Sequence, residues 1–379
     1  MNVIILGTNH YNTLGLIWSL GKARHNVILL LRECSDSYVD KSKYLTKTII
    51  IRKNNDVVDV IKKIATQVDQ RPVVLATNDN DAAMLNDRFD ELSQVCFFEG
   101  GRPHGNVNQY RNKDRSEQLA VECGFMIPKT SVLMNIEELD TEKLSYPLLI
   151  KANNSINGGK AAMRRCDSST ETELFIKTLP TEYFPIQIQE FIDKEYEVML
   201  LGCSLYGGTR VICPVANKKY RHFPEPIGLG SYSESLDIAQ NEDLQQLASR
   251  VAVYMQKIGY TGLFSAEFLY RGGQYYFLEV NLRNDGTSWL STCSGFNLPD
   301  MLCRAFVDND VSADSCRFVQ TEFMNIKADF NHVRNGRLKL GTWLSQLRKC
   351  TSYSHYNKRD VYPFCIYIWT SIKMAIKKR

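Results

Sequence analysis

The chain has 379 residues, of which 44% are hydrophobic and 23% are charged, and its formal net charge is +4. This length and composition predict a globular protein of two or three domains, and the small net charge does not favour a general nucleic-acid binder. The eleven cysteines are scattered and include no Cys-x-x-Cys pair, which disfavours a disulfide framework or a structural zinc site, so we expect reduced thiols and a cytoplasmic protein.

The amino-terminal residues predict an α/β domain. Four short apolar runs are separated by segments of helix length, which is the pattern of a parallel sheet with crossover helices. These runs are residues 3–7, 27–31, 48–51 and 73–76. Nothing resembling a secretion signal precedes the first run. The turn at Gly7–Gly15 lacks Gly-x-Gly-x-x-Gly, so packing is favoured over an anion site there. Residues 77–79, Thr-Asn-Asp, either line the same crevice or begin a helix.

The middle of the chain carries polar segments at the ends of predicted strands. Residues 112–123 predict a helix that Gly124 stops, with a domain boundary near residue 110. A strand over 148–151 leads into the small, glycine-bearing loop 152–160, which either folds over phosphates or is a simple hairpin loop. A strand over 186–192 then leads into Asp193–Glu197, which either binds a nucleoside or forms an acidic turn.

Residues 262–283 predict a β-hairpin with one polar face. Alternation puts Phe264, Ala266, Phe268 and Tyr270 on a core face together with Tyr276, Leu278, Val280 and Leu282. The other face takes Ser265, Glu267 and Leu269 with Phe277, Glu279, Asn281 and Arg283. A three-residue loop, Gly272-Gly273-Gln274, would set Glu267 directly opposite Glu279.

Two facing carboxylates repel each other, so the pair indicates a bound cation. Oxygen ligands favour Mg²⁺ or Mn²⁺, which take one or two carboxylates and complete their shell with phosphates and water. Asn281 adds an amide oxygen, and Arg283 supplies a cationic fork suited to phosphate or carboxylate. The alternative is a solvated strand face with ordinary charges.

Five elements in this order resemble the ATP-grasp superfamily, especially its carbamoyl-phosphate-synthase-like and D-aspartate-ligase-like members. They are Asn112-Lys113-Asp114, Lys151, Gly158-Gly159-Lys160, Gln189–Ile192, and Glu267 with Glu279-x-Asn281-x-Arg283. The resemblance covers about residues 1–310. It implies an α/β and α+β fold, in which a Rossmann-like pre-ATP-grasp domain precedes a two-lobed ATP-grasp domain. The implied parts are the pre-ATP-grasp domain (1–110), the small lobe with its helical lead-in (111–195), the large lobe with the metal site (196–325) and a C-terminal extension (326–379).

The resemblance also implies roles for individual residues. Lys113 and Lys151 would hold the phosphates of ATP. The loop with Asn157, Gly158, Gly159 and Lys160 would close over them. Glu190, Phe191 and Ile192 would present backbone to adenine, and Glu195 would take the ribose. Glu267, Glu279 and Asn281 would hold Mg²⁺ or Mn²⁺, and Arg283 would stabilise an acyl-phosphate or its tetrahedral successor.

The implied reaction joins a small-molecule carboxylate to an amine through an acyl-phosphate, with release of ADP and phosphate. The acid could be an amino acid, a peptide or a uronic-acid glycan precursor. Two alternatives stay open: a carboxylating enzyme of the carbamoyl-phosphate-synthase or biotin-carboxylase type, and a regulatory protein that binds ATP without turnover. Residues 284–287, Asn-Asp-Gly-Thr, differ from the Gln-Val-Glu-His type segment of biotin-dependent carboxylases, which disfavours the first.

Two further segments have competing interpretations. In Asn217–His222, Lys219 and Arg221 are candidates for binding an acidic substrate, although a solvated basic turn fits equally well. The tail over 330–379 is either an interfacial membrane helix, which would suit a lipid-linked acceptor, or a segment docked on the grasp domain, which is favoured. The sequence also allows a homodimer.

Overall fold

The computed structural model describes residues 1–52, 56–101, 106–152, 163–225, 228–308 and 316–377. The predicted phosphate loop, with Asn157, Gly158, Gly159 and Lys160, lies outside the described residues.

The amino-terminal part is a parallel five-stranded sheet in the order β3-β2-β1-β4-β5. Each of the four predicted apolar runs lies in one strand, which confirms the α/β expectation. Its elements are β1 (Asn2–Gly7), α1 (Tyr11–Lys22), β2 (Asn26–Arg32), β3 (Leu45–Ile51), α2 (Val57–Ala65), β4 (Val73–Ala76), α3 (Asp79–Asp87), α4 (Phe89–Leu92), β5 (Phe97–Phe98), β6 (Gly100–Gly101) and α5 (Asn106–Gln109).

Alternate residues of β1 enter two different cores, which explains why the strand is apolar throughout. Val3 and Ile5 pack with α1 on one side of the sheet, whereas Ile4 and Leu6 pack with α2 on the other. A strand that is covered on both faces needs apolar side chains at every position. The carboxyl ends of β1 and β4 then open toward the rest of the chain.

The central part begins with helix α6, which Asn112 caps by accepting a hydrogen bond from the Asp114 backbone N–H (3.0 Å). An antiparallel sheet in the order β7-β10-β8-β9 follows. The elements are α6 (Lys113–Glu122), β7 (Thr130–Leu133), β8 (Leu148–Ala152), β9 (Arg164–Cys166), α7 (Ser169–Thr178) and β10 (Ile186–Glu190). The apolar side of α6 packs into the core of the next part.

The next part is built on a larger sheet in the order β15-β14-β11-β12-β13-β16-β17, antiparallel except for the last pair. The elements are β11 (Tyr196–Leu205), β12 (Arg210–Phe223), β13 (Leu229–Asp237), α8 (Glu242–Ile258), β14 (Tyr260–Arg271), β15 (Gln274–Asn281), α9 (Ser288–Cys293), α10 (Leu298–Val307), β16 (Glu322–Met324), α11 (Ile326–Arg334), α12 (Leu340–Lys349), β17 (Ser352–Tyr353) and α13 (Tyr362–Lys377). The predicted α/β and α+β fold is confirmed, while the domain bounds stay a prediction.

The β14–β15 hairpin sets Glu267 directly opposite Glu279, as expected, but by a different route. The loop has two residues, Gly272 and Gly273, with φ of 58° and 81°, and not three. A bulge on β15 supplies the extra residue instead. Phe268 pairs with Phe277 and the adjacent Glu267 pairs with Glu279, which leaves Leu278 as the bulged residue. The bulge reverses three predicted side chains: Tyr276, which was expected in the core but pairs with Leu269 on the other face, and the next two residues, Phe277 and Leu278.

Phe277 was expected on the polar face, but it is 1% exposed and stacks on Phe125 in the core at 5.5 Å. Leu278 was expected in the core, but it lines the cavity described below. The ladder positions on the far side of the bulge, from Glu279 onward, keep their predicted faces. Local alternation therefore held on each side of the bulge and failed across it.

The C-terminal segment folds back onto the amino-terminal part. Asp360, 3% exposed, accepts hydrogen bonds from the Trp18 indole (2.9 Å), the Ser42 hydroxyl and the Lys43 backbone N–H (3.1 Å). The inner side of α13 meets Tyr38 through Tyr367, with ring centroids 5.4 Å apart. The tail is therefore docked, as favoured over an interfacial membrane helix: α11, α12 and β17 pack with the large sheet, and α13 packs against the amino-terminal part.

No helix in the described ranges is both long and apolar enough to cross a bilayer.

Candidate functional site

A cavity of about 520 Å³ lies where the three parts of the fold meet. The amino-terminal part contributes the ends of β1 and β4 and the start of α1, the central part contributes β8 and the end of β10, and the large sheet contributes β11, β12, β14 and β15. Nine of the predicted site residues line it: Lys113, Lys151, Glu190, Phe191, Ile192, Lys219, Glu267, Glu279 and Arg283. These residues span 171 positions of sequence and meet only through the fold.

The paired carboxylates form the polar wall of the cavity. Burial raises the pKa of Glu267 to about 7, and the neighbouring charge of Glu279 adds to this, although Lys219 opposes it. Asn281 donates from Nδ2 to Oε1 of Glu267 (3.4 Å) and to Oε1 of Glu279 (3.5 Å). The amide nitrogen thus faces both carboxylates, while Asn281 Oδ1 accepts from Arg283 Nη2 (3.1 Å).

Lys219 bridges two buried carboxylates. Its Nζ lies 2.6 Å from Oε2 of Glu267 and 3.4 Å from Oε2 of Glu197. Burial disfavours its charge, but these carboxylates hold the pKa of Lys219 above its ordinary value. Burial likewise disfavours the charge of Glu197, yet Lys219 and His222 hold its pKa well below the usual range. We therefore expect Lys219 and Glu197 to be ionised at neutral pH.

Lys113 and Lys151 approach the cavity from different elements. Lys113 opens helix α6, and Lys151 stands in strand β8 with only 3% of its surface exposed. Lys151 Nζ donates to Gln189 Oε1 (3.1 Å) and Glu117 Oε1 (3.4 Å). Burial, reinforced by the charge of Lys113, lowers the pKa of Lys151 to about 8. Two cations side by side in a buried setting are suited to an anion that carries more than one charge.

The other end of the cavity is lined mainly by apolar side chains. Phe191 and Ile192 follow β10, Leu149 lies in β8, and Met163 lies just before β9. Leu269 and Leu278 close this end from the hairpin, the latter turned inward by the bulge. Apolar walls with backbone polar groups at a strand exit are typical of a nucleobase site.

Arg283 is held rigidly at the opposite end, near the amino-terminal part. Its Nε and Nη2 donate to the two carboxylate oxygens of Asp79 (3.1 and 3.0 Å). Asp79 also accepts from Arg111 (3.1 Å). Although burial disfavours the charge of Arg283, Asp79 keeps its pKa above the ordinary value. A guanidinium fixed in this way presents charge without a further loss of side-chain entropy.

Three predicted site residues that the structure describes are not part of the cavity lining: Asn281, which stands beside the carboxylate pair, Arg221 and Glu195. Arg221 donates to both oxygens of the fully buried Asp329 (2.9 and 2.8 Å), so its guanidinium is engaged in packing and not directed at a substrate. Glu195 accepts a hydrogen bond from the Gly272 backbone N–H (2.8 Å), which ties it to the hairpin turn. The assignments of Arg221 and Glu195 are corrected on this geometry.

Sequence reasoning missed Glu197 as a cavity residue. It stands two residues after Glu195, inside strand β11, and is 8% exposed. A carboxylate within an otherwise apolar strand must be paired, and that signal could have identified it.

The amino-terminal lining was also undervalued: Asn78 caps α3 by accepting from Asp81 N–H (2.9 Å), and Thr77, Asn78 and Asp79 also line the cavity. Residues 77–79 therefore both begin helix α3 and line the cavity. Asp285 was not anticipated either.

The residues at the carboxylate wall fit a hard divalent cation. In the described part of the chain, no cluster of three or more His, Cys, Asp or Glu side chains is arranged to hold a metal. Mg²⁺ needs only one or two carboxylates when phosphates and water complete its shell. Burial raises the pKa of Glu267, with the charge of Glu279 adding to this, and a bound cation would favour the ionised carboxylate. Asn281 would have to turn its amide so that Oδ1 faces the carboxylates.

Fold, cavity and lining residues together define a grasp-type architecture around a cavity suited to a nucleotide and a divalent cation. Residues 118–295 match the family model of the ATP-grasp domain. The chain thus contains an ATP-grasp domain.

Among curated relatives, a formate-dependent phosphoribosylglycinamide formyltransferase from Prochlorococcus marinus (strain NATL2A) is 27% identical over 216 residues, covering 51% of this chain and 53% of the relative. The chain thus spans about half the length of the curated relatives that it matches most strongly. An L-amino acid ligase from Bacillus licheniformis superimposes with a TM-score of 0.65 at 16% identity, covering 85% of this chain and 79% of that one. N5-carboxyaminoimidazole synthetase from Staphylococcus aureus in complex with ADP gives 0.67 at 14% identity, with coverage of 88% and 85%.

Proposed function

We propose that the protein is an ATP-dependent ligase that joins a carboxylate to an amine through an acyl-phosphate, releasing ADP and phosphate. The observation that carries the proposal is one cavity lined by several lysines, a facing carboxylate pair and a fixed arginine. A protein that only bound a nucleotide would not need Arg283 at the end of the cavity beyond the carboxylates. A match to a D-alanine–D-alanine ligase from Fusobacterium nucleatum, 24% identical over 196 residues, supports the same chemistry.

The cavity suggests one orientation for ATP. Adenine would lie between the apolar walls beside Phe191 and Ile192, and Glu197 would take the ribose in place of Glu195. Lys113 and Lys151 would contact the phosphates. Lys219 stands between Glu197 and Glu267, so we assign it to the phosphate chain and not to an acidic acceptor.

Glu267, Glu279 and the turned amide of Asn281 would hold Mg²⁺ or Mn²⁺ on the terminal phosphates. When bound, the cation would neutralise charge on those phosphates and polarise the γ-phosphate. The protein side chains do the positioning: the carboxylate pair fixes the phosphates at the hairpin, and the lysines hold them from the central sheet.

At the reacting end, the substrate carboxylate would attack the γ-phosphorus and ADP would leave. The amine nitrogen would then attack the acyl carbon, and inorganic phosphate would leave as the amide forms. Negative charge develops on the acyl oxygen in this second step. Arg283, held in place by Asp79, would meet that charge without rearrangement.

We propose small-molecule substrates, with an amino acid, a peptide or a uronic acid as the acid. The acceptor side of the cavity is lined by His10, Asn78, Asp79, Asp285 and Thr287. A carboxylating activity is the competing proposal, because the fold is also that of the Staphylococcus aureus synthetase, and it would be recognised by a requirement for bicarbonate.

The test is the product of ATP turnover. Purified protein with Mg²⁺ and ATP is incubated with a panel of acids and amines, and ADP, AMP and phosphate are quantified. We expect ADP and phosphate only when a productive acid and amine are present together. Formation of AMP, or turnover that needs bicarbonate and no other acid, would refute the proposal.

A Glu279→Gln variant is the matched inactive control, because it removes one carboxylate charge and preserves shape. It should lose turnover while its thermal unfolding stays close to that of the unmodified protein. Full activity in this variant would remove the metal assignment, and ATP binding without turnover across the panel would favour a regulatory protein.

A further inference from the structure

Helix α13 exposes an apolar face where a docked helix ordinarily exposes a polar one. Cys365, Trp369, Ile372 and Ile376 recur at helical spacing and are all exposed, Trp369 by 66% and Ile376 by 69%. Ile368, 41% exposed, lies at the edge of this face. The inner side of the helix is already occupied by the packing of Tyr367 on Tyr38. The outer face is therefore apolar without a partner in the described structure.

This apolar face continues into a groove between three helices. The groove encloses about 480 Å³ and is lined by Ile326 and Phe330 of α11, Trp343 of α12, and Phe364, Ile368 and Ile372 of α13. Phe330 contacts Trp343 with ring centroids 5.1 Å apart. Leu340 and Leu344 of α12 are 52% and 38% exposed. We call the outer face of α13 and this groove the C-terminal apolar surface.

The segment that carries this surface is strongly cationic. Residues 326–379 contain twelve Lys and Arg but only two Asp and Glu, a formal charge of +10, so residues 1–325 carry −6. Both acids, Asp329 and Asp360, are buried. Burial is described for the side chains of nine of the cations, and every one is exposed: Lys327, Arg334, Arg337, Lys339, Arg348, Lys349, Lys358, Arg359 and Lys373. The net charge of the whole chain is small because the negative charge of residues 1–325 offsets most of the positive charge of residues 326–379.

We propose that the C-terminal apolar surface docks the protein on an anionic lipid bilayer. Exposed Trp, Ile and Met side chains would enter the boundary between headgroups and acyl chains, and the surrounding lysines and arginines would face anionic headgroups. A second copy of the chain is the other obvious occupant of an apolar face. A symmetric dimer would bring two such segments together, and like charges would oppose it.

The surface lies close to the cavity. Tyr367 on the inner side of α13 stacks on His355 at 3.9 Å, and His355 meets Tyr11 at 5.4 Å. Tyr11 lines the cavity. Docking through α13 would therefore bring the cavity near the lipid surface, where a substrate attached to lipid would be accessible.

Vesicle binding tests the proposal with the full chain. Vesicles of phosphatidylcholine with and without phosphatidylserine are sedimented with the protein. We expect binding to the anionic vesicles, with at least tenfold weaker binding to phosphatidylcholine alone, and a decrease as salt is raised. Of the four tryptophans, Trp369 is by far the most exposed, so its emission should shift to shorter wavelength on binding. In Trp369→Phe the shift should be lost while binding persists.

Paired variants distinguish binding through the C-terminal apolar surface from nonspecific adsorption to the vesicles. Trp369→Glu with Ile372→Glu should lower anionic-vesicle binding more than tenfold, whereas Leu174→Glu, at a 62% exposed position on α7, should leave it unchanged. Arg348→Gln with Lys349→Gln should weaken it about tenfold. Circular dichroism and ATP affinity should be unaltered in all of them.

Lack of binding to anionic vesicles, or unaltered binding by the double glutamate variant, would overturn the proposal. So would a concentration-dependent dimer that the double glutamate variant abolishes, because that result would assign the surface to a second copy. None of these results depends on whether the ligase reaction has been established.

Discussion

Replacing Lys151 by Met should separate its role toward ATP from its role in folding. Lys151 is buried beside Glu117, and burial has lowered its pKa from an ordinary 10.5 to about 8. That shift corresponds to roughly 3 kcal/mol of cost for keeping the charge buried. The buried charge of Lys151 therefore lowers the stability of the folded state, which is expected of a group whose role is to bind an anionic ligand.

The single variant removes this cost but leaves the Glu117 carboxylate buried without its cation. Breaking one partner of a buried pair destabilises by about 3 kcal/mol or more. Adding Glu117→Gln removes the orphaned charge, so the double variant should recover stability to within about 1 kcal/mol of the original. Neither variant should bind ATP normally, because losing a charged hydrogen bond to phosphate costs about 1.5 to 3 kcal/mol, or roughly tenfold to a hundredfold in affinity.

Urea unfolding gives the stability, and calorimetric titration with ATP and Mg²⁺ gives the affinity. Lys143→Met serves as the control, since Lys143 is 83% exposed and pairs with Asp140 in solvent. It should change neither quantity by more than about 0.5 kcal/mol. Unchanged ATP affinity in the Lys151 single variant would refute its nucleotide role, and failure of the double variant to recover stability would refute the pairing argument.

Three further predictions address the corrected residues and a buried acid. Glu197→Gln should weaken ATP binding about tenfold, whereas Glu195→Gln should leave it within about twofold in the same titration; the reverse order would restore the original ribose assignment. Arg221→Gln should lower the free energy of unfolding by about 3 kcal/mol by orphaning Asp329, without altering KM for any substrate; a raised KM would return Arg221 to the acceptor site. Burial raises the pKa of Glu99 from 4.5 to about 7, so the folded state holds this proton more tightly than the unfolded state. Stability should therefore fall by about 3 kcal/mol as pH rises from about 4.5 to 7, and Glu99→Gln should flatten that part of the urea-unfolding profile; an unchanged slope would contradict the assignment.

The sequence was sufficient to predict the fold class, because the order of the motifs indicates it. It also predicted that Glu267 faces Glu279, but through a three-residue loop, whereas a two-residue loop and a bulge produce that pairing. It did not predict the bulge that moves Phe277 into the core and Leu278 out of it. That exchange depends on Phe125, a residue far away in sequence whose ring fills the space beneath the hairpin. Alternation assumes a regular ladder and contains no information on where packing interrupts it.

The misassigned charges have the same origin. Arg221 looked available for an acidic substrate because its partner, Asp329, lies 108 residues away. Glu195 and Glu197 share the same strand parity, and the fold distinguishes them: Glu195 is exposed and accepts from the Gly272 N–H, whereas Glu197 is buried in the cavity wall beside Lys219. A pairing between distant parts of the chain cannot be seen in the local sequence pattern. A motif therefore limits the candidate ligand-binding residues to a few neighbours, and the fold decides which of them faces the cavity.

The hydrogen bonds of Asp360 have a consequence for how this chain can be divided. Removing the segment after β16 would strand the Trp18 indole N–H inside the amino-terminal core, since its acceptor would be lost. The C-terminal segment thus helps to enclose α1, the first helix of the chain. A truncated version ending near residue 325 would keep the central sheet and most of the large sheet, but the amino-terminal core would be open on the side that Asp360 and α13 now cover.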